Sequence, residues 1–304
     1  MTIAVIGSNM VDLITYTNSL PKAGETLEAP DFAIGCGGKG ANQAVAAAKM
    51  GGNVMMVSKV GDDLFAPNTV ANLQQQGVDT RFVTTAPGTS SGVAPIFVDD
   101  QSQNRILIIK GANQQLKPAD IDDAAEALKA CQLIILQLEI PLETVYYAID
   151  FARQHQITVI LNPAPAVATL DIDYACKCDF FMPNETELEI LTGLPVSSDE
   201  EVILAGQSLL KRGLKNLIIT LGQPGIGLDE RRRDPSRGCH TGSGGRHQRR
   251  GRCLYRLLCV SAGGNRRCGR RHDPGVCLCR LQRHRARHPA RLSRRREFPA
   301  LFQP

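Results

Sequence analysis

Gly37-Gly38-Lys39-Gly40-Ala41-Asn42-Gln43-Ala44 runs straight into an alanine-rich segment, Ala41 to Met50, which Gly51-Gly52 brings to a stop. The composition predicts a helix opened by glycines and closed by glycines. Bare glycine backbone lets a ligand come close, and a helix N-terminus presents unpaired N–H groups to it. Lys39 and Asn42 place an ammonium and an amide on the same side. No Ser or Thr follows the lysine, so the run is not a P-loop. On composition alone it would serve equally as a tight turn ahead of a core helix.

The residues around this run decide its setting. Thr2 to Gly7 is a short apolar run ending in glycine and reads as a buried strand. Asn53–Val60, Leu133–Leu138, Thr158–Leu161, Phe180–Pro183 and Leu217–Leu221 repeat that pattern. Helical segments fall between them at Phe65–Gln76, Leu142–Gln154, Glu185–Leu191 and Glu200–Arg212. Strands alternating with helices predict an α/β domain with a parallel sheet covered on both faces. Two segments break the rhythm. Tyr16 to Ile34 carries Pro21, Gly24 and Pro30, and Gly92 to Ile109 reads as strands Val93–Val98 and Arg105–Ile109 around a polar turn. Residues about 12–36 and 92–110 are thus expected to form a small antiparallel sheet. Ligands of such folds bind at the carboxyl ends of the parallel strands, where this sheet could act as a lid.

The 304 residues divide sharply by charge near Leu228. Residues 1–228 hold all 10 Lys and 4 Arg against 25 Asp and Glu, a net charge of −11; residues 229–304 hold 21 Arg and no Lys against 5 acids, a net charge of +16. The sequence pI of 8.7 therefore reports the tail and says nothing about nucleic acid for the first part. Met1 to Gly7 turns polar too soon for a signal peptide, and no apolar run reaches the roughly 18 residues of a membrane span. A cytoplasmic location and no membrane partner are expected. Of ten Cys, only Cys36, Cys131, Cys176 and Cys178 lie in the first part, and they are expected to be reduced. Cys176-Lys177-Cys178 is a weak metal candidate, because no second Cys pair accompanies it.

Several further stretches sit at strand ends: Gly7-Ser8-Asn9-Met10-Val11-Asp12, Pro21–Glu25, Gln137-Leu138-Glu139, Asn162–Ala166, Pro183–Glu187 and Thr220–Gly225. In this order, with the Gly37–Ala44 run, residues 1–228 closely resemble the ribokinase family of sugar kinases (the PfkB group), ribokinases and deoxyribokinases above all. The resemblance implies a three-layer α/β fold with a β lid, and phosphorylation of a pentose at its 5-hydroxyl by ATP. It places Met10, Asp12, Gly38, Lys39, Asn42 and Glu139 at the sugar. It places Asn184, Glu187, Thr220, Gly222 and Gly225 at the nucleotide, with Glu187 reaching Mg2+ through water. It further implies a K+ site in the C-terminal part and a homodimer formed through the lid. Carboxylates accept from sugar hydroxyls while Lys and Asn donate, so the residue types suit the roles. Plain alternatives exist: Asp12 as a helix cap, Glu139 as a solvated strand end, Asn184 and Glu187 as the cap of a helix, and Thr220 as a strand before a turn. A nucleoside kinase, a kinase of another sugar, or a non-catalytic sugar-binding remnant are the competing functions.

Two departures from the family pattern carry information. Met10 stands where ribokinases usually carry Asn. A thioether cannot donate a hydrogen bond, so a sugar lacking the facing hydroxyl is favoured, which points to 2-deoxy-D-ribose over D-ribose. The second departure is larger. The family's Asp-Thr-x-Gly-Ala-Gly-Asp segment, whose last Asp takes the proton from the sugar hydroxyl, is absent. Arg246-His247-Gln248-Arg249-Arg250-Gly251-Arg252-Cys253-Leu254-Tyr255 occupies its place, with Arg252 at the position of the base. Back-translated and read one base later, these ten codons permit Asp-Thr-Ser-Gly-Ala-Gly-Asp-Ala-Phe-Ile. Val276 to Arg283, shifted alike, permits Phe-Ala-Ser-Ala-Ala-Tyr-Ser-Val, a plausible helix. A one-base frameshift between about Gln223 and Arg233 accounts for both. The tail as it stands has scattered Cys, Pro and Leu without period, so no secondary structure is expected in it. Its competing reading is a basic nucleic-acid arm.

Overall fold

The computed structural model describes residues 1–101 and 103–221, and the backbone of 256–261 and 276–280. In chain order the elements are β1 (Thr2–Ile6), β2 (Met10–Tyr16), β3 (Asp31–Gly37), α1 (Lys39–Lys49), β4 (Asn53–Val60), α2 (Ala66–Gln75), β5 (Val78–Thr85), β6 (Gly92–Val98) and β7 (Asn104–Ile106). A 3-10 turn (Gly111–Gln115) leads to α3 (Pro118–Asp123), α4 (Ala125–Lys129), β8 (Leu133–Leu136), α5 (Leu142–Gln154), β9 (Thr158–Leu161), α6 (Ile172–Ala175) and β10 (Phe180–Phe181). The chain continues through α7 (Glu185–Thr192), α8 (Asp199–Lys211), β11 (Asn216–Leu221), β12 (Arg256–Ser261) and β13 (Val276–Arg280).

Strand β1 explains the layering. Side chains alternate across a strand, and every second residue of Thr2–Ile6 faces the same way. Ile3 and Val5 pack with Ala41 and Ala44 of α1 and Leu73 of α2. Ala4 and Ile6 pack on the opposite face with Val145, Ile149 and Ala152 of α5. Both faces are thus covered, which is why β1 reads as a continuous apolar run. Each of the larger of these side chains, Val, Leu or Ile, contributes about 1.5–3 kcal/mol when fully buried. The main sheet runs β5-β4-β1-β8-β9-β10-β11, all parallel, and continues antiparallel into β12 and β13. From β1 the chain first builds outward through β4 and β5, then returns to the other side for β8. The switch point where a parallel sheet opens a ligand crevice therefore lies between the carboxyl ends of β1 and β8.

Three expectations need correction. The small sheet, β3-β2-β6-β7, is mixed: β2–β3 and β6–β7 pair antiparallel, but β2 and β6 run parallel. Both strands rise from the same edge of the main sheet, one after β1 and one after β5, and so point the same way. Strand β5 was not expected; as an edge strand with Asp79, Thr80 and Arg81 it has no continuous apolar run. The tail, expected to lack secondary structure, supplies β12 and β13. Strand β12 pairs along the whole of β11, from Asn216–Ser261 to Leu221–Arg256, and so gives partners to an edge otherwise left with open N–H and C=O groups. Among the described residues no helix is long and apolar enough to cross a membrane.

Candidate active site

The loop after β1, Gly7-Ser8-Asn9, and the loop after β8, Gln137-Leu138-Glu139, leave the sheet side by side at the switch point. Ser8 is fully buried and Glu139 is 3% exposed. One carboxylate oxygen of Glu139 accepts from Ser8 Oγ at 2.5 Å and from the Lys39 backbone N–H at 2.8 Å. Ser8 Oγ in turn accepts from Gly40 N at 3.2 Å, and Ser8 O from Ala41 N at 2.8 Å. The first N–H groups of α1, orphaned in an isolated helix, are thus met by the β1 loop and by a carboxylate that suits the positive end of the helix. Glu139 is not a solvated strand end. Gly38 is the hinge of this turn: its φ is +92°, and a Cβ there would lie 2.9 Å from Met10 N and 3.0 Å from Ser8 O. Both counts restrict the position to glycine.

Asp12 lies within β2, opposite Gly35 of β3 and Ala94 of β6, and caps no helix. Its side chain leans one pleat further, over Gly37, where a Cβ would come within 2.3–2.6 Å of the carboxyl group. Burial, aided by the negative charge of Glu139, raises the Asp12 pKa above the usual carboxylate value. Asp12 and Glu139 therefore bring two acceptors to one crevice, Asp12 from the lid and Glu139 from the parallel domain. Met10 opens β2 and is 2% exposed. It pairs with Gly37 and Gly92, and a Cβ at Gly92 would stand 3.1 Å from its Cγ. Among the described residues the Lys39 ammonium and the Asn42 amide make no hydrogen bond or ion pair, which leaves their donors for a ligand. The backbone of Lys39 bonds to Glu139, that of Asn42 to Gly38 O, and Met10 pairs with Gly37 beside Gly38, so these expected residues, with Asp12, cluster where β1, β2, β3 and α1 meet.

The second group sits at the carboxyl ends of β10 and β11. Asn184 Oδ1 accepts from Glu187 N at 2.7 Å, and Glu187 Oε2 accepts from Asn184 N at 2.9 Å, a reciprocal cap that opens α7. The capping alternative is therefore real for both residues. Thr220 joins them: its N–H donates to Pro183 O at 3.0 Å, and it bridges to Asn184. Gly222, Gly225 and Arg252 lie outside the described residues. Cys176 and Cys178 are buried free thiols in the main core, and burial pushes both thiols above their usual range. No group of three or more His, Cys, Asp or Glu converges as for a metal among the described residues. The C-x-C pair packs in the core of the parallel domain.

The sequence reading missed three contributors. Ser8 belongs to the Gly7–Asp12 run, whose pattern assigns it no role of its own. Lys110, whose Nζ donates to Leu138 O at 3.4 Å, ties the end of the lid to the Glu139 loop. Asn113, fully buried, bonds to Asn9 next to Met10. Gly111-Ala112-Asn113 repeats the Gly40-Ala41-Asn42 triplet, a signal that was available.

Comparison with known proteins identifies relatives of the chain. Residues 2–229 match the model of the pfkB family carbohydrate kinases. The deoxyribokinase of Salmonella typhi is 66% identical over 225 residues, 74% of this chain and 74% of that protein. The ribokinase of Mus musculus is 40% identical, over 73% of this chain and 69% of that one. Among solved structures, Arabidopsis thaliana ribokinase complexed with ribose and ATP superposes with a TM-score of 0.67 at 30% identity, covering 72% of each chain. The chain belongs to the pfkB family of carbohydrate kinases, in its ribokinase branch.

Proposed function

We propose that residues 1–221 form the sugar-binding half of a kinase that phosphorylates the 5-hydroxyl of 2-deoxy-D-ribose with ATP. The observation that carries this is Met10, buried at the foot of β2, in the strand that presents Asp12. A methionine there offers a hydroxyl no donor and only a weak acceptor. D-ribose would bury an unmatched hydroxyl against it, and 2-deoxy-D-ribose would not. The 66% identity to a protein named deoxyribokinase supports the same choice. In an in-frame version of the gene, kcat/KM should favour deoxyribose over ribose; a strong ribose preference would sink the reading.

In this reading Asp12 and Glu139 accept from sugar hydroxyls, while Lys39 and Asn42 donate. Asn184, Glu187 and Thr220, with Gly222 and Gly225, border the phosphates of ATP. Glu187 fits a role toward Mg2+ through water, because its cap uses Oε2 and its other oxygen accepts no hydrogen bond among the described residues. When bound, Mg2+ neutralises charge developing on the transferring phosphoryl group. The expected K+ site falls beyond the described residues. The homodimer is supported by the lid: Phe32, Ile34 and Leu107 are 53%, 55% and 62% exposed, more apolar surface than a free sheet usually shows. Sedimentation should give a dimer that Phe32→Ser with Ile34→Ser converts to monomer.

The 304-residue chain itself lacks the base and the phosphate-holding turn. Its own activity is then sugar binding without phosphoryl transfer, and the fold is less stable than an intact relative. The one-base frameshift gains support from a coincidence of boundaries: the family match ends at residue 229, where the charge pattern changes. Sequencing the DNA over codons 220–260 tests it, and an undisturbed frame ends it. The nucleic-acid arm is disfavoured because a shifted frame explains the arginines; salt-dependent DNA binding by the chain would revive it.

A further inference from the structure

The lid is rooted in the parallel domain at four chain crossings: Asn9–Met10, Gly37–Gly38, Ser91–Gly92 and Ile109–Gly111. Asn113, on the 3-10 turn just past the fourth, is 0% exposed and bonds to two of them at once. Its Oδ1 accepts from Asn9 N at 2.9 Å, and its Nδ2 donates to Asn9 O at 3.0 Å and to Lys110 O at 2.8 Å. Both hydrogens of the amide and its oxygen are in use. The third crossing is shaped around it, since a Cβ at Gly92 would lie 2.2 Å from Nδ2. The Asn9 side chain continues the chain of contacts by donating to Thr69 Oγ1 of α2 at 3.1 Å.

The residue immediately after Asn9 is Met10, and two further on is Asp12. Nothing in the established family assignment requires Asn113, which lies in the lid's root and faces backbone, with no side chain of the sugar crevice among its partners. We propose that Asn113 is a positioning residue: it pins the roots of β2 and of the returning lid strand to each other, and so sets Met10 and Asp12 against Glu139. The proposal rests on reading that crevice as the sugar site. The demand is for one acceptor and two donors in a planar group, which an amide supplies and neither a carboxylate nor a hydroxyl can. A carboxylate there would face two carbonyl oxygens.

Hydrogen–deuterium exchange on the full 304-residue chain tests this, with calorimetric titration of 2-deoxy-D-ribose alongside. Asn113→Ala should raise exchange at the lid's root, in β2 and at the start of β6, by at least about tenfold, while β1 and β8 keep their protection. Deoxyribose affinity should fall by about tenfold, the worth of roughly one net hydrogen bond in placement. Gly92→Ala keeps the amide but crowds it, and should loosen the same segment. Ile149→Val, a change in the α5 core, should affect stability and leave lid exchange and sugar affinity alone. Uniform loss of protection across core and lid, or unchanged lid exchange in Asn113→Ala, overturns the proposal. If the parent chain binds no deoxyribose, the sugar reading fails while the exchange comparison still decides this one.

Discussion

Replacing Gly37 by alanine should weaken sugar binding and leave the fold in place. The new methyl carbon would stand 2.3 Å and 2.5 Å from the two Asp12 carboxylate oxygens and 2.6 Å from its carboxyl carbon. Ordinary contact between such atoms needs about 3.5 Å, so the carboxyl group has to retreat by about 1 Å. Asp12 can swing away about its side-chain torsions, so the backbone of β2 and β3 need not move. Loss of a charged acceptor for a sugar hydroxyl is worth about 1.5–3 kcal/mol, or roughly a 10- to 150-fold rise in Kd. Stability should change by less than about 1 kcal/mol, since alanine reduces unfolded-state freedom by a similar amount. Gly35→Ala is the internal control: its Cβ would sit 3.5 Å from Asp12 Cβ, an ordinary contact. Calorimetric titration with 2-deoxy-D-ribose and thermal melts of the three chains read both quantities. A Gly37→Ala chain that binds the sugar within about twofold of the parent would refute the reasoning, as would an equal loss in Gly35→Ala.

Three further predictions follow from the same geometry. Because burial and Glu139 raise the Asp12 pKa above its ordinary 3.8, sugar affinity should climb with pH through that raised value, by at most about tenfold per pH unit, and then level off; Asp12→Asn should flatten the profile. A carboxyl raised in the fold costs stability as pH rises through its folded pKa, so Asp12→Asn should also melt higher than the parent at neutral pH, a comparison that differential scanning calorimetry makes directly. Met10→Asn should shift the ratio of ribose to deoxyribose affinity toward ribose by about tenfold, measured by titration with each sugar, and an unchanged ratio would remove Met10 from the specificity argument. Asn184→Ala should cost about 1 kcal/mol in urea unfolding through loss of the α7 cap, with deoxyribose affinity unaltered.

The sequence was most legible where packing and periodicity agree. Thr2–Ile6 and Leu133–Leu136 are buried on both faces and so are written as unbroken apolar runs, and helix α5 was legible as Leu142–Gln154 between two such strands. Strand β5 was hidden because an edge strand can carry Asp79 and Arg81 at no cost, and those residues pair with each other. The lid's parallel pair was hidden for another reason: strand direction depends on where β2 and β6 leave the main sheet, which no local pattern records. In the site, Gly38, Lys39, Asn42 and Glu139 belonged to recognisable runs. Asn113 shares the Gly-Ala-Asn triplet of Gly40–Asn42, but its role is hidden, because its three bonds go to the backbone of Asn9 and Lys110 and backbone partners leave no trace in a sequence. Asn184 and Glu187 show the opposite case, in which a helix cap and a ligand site call for the same residue types.

Calorimetric titration of the 304-residue chain with 2-deoxy-D-ribose and with D-ribose, in the presence of Mg2+ and ATP, tests the central claim most directly. The account predicts binding of deoxyribose, weaker binding of ribose, and no heat or product from phosphoryl transfer. Ribose binding as tight as deoxyribose, no sugar binding, or phosphorylated product would contradict it.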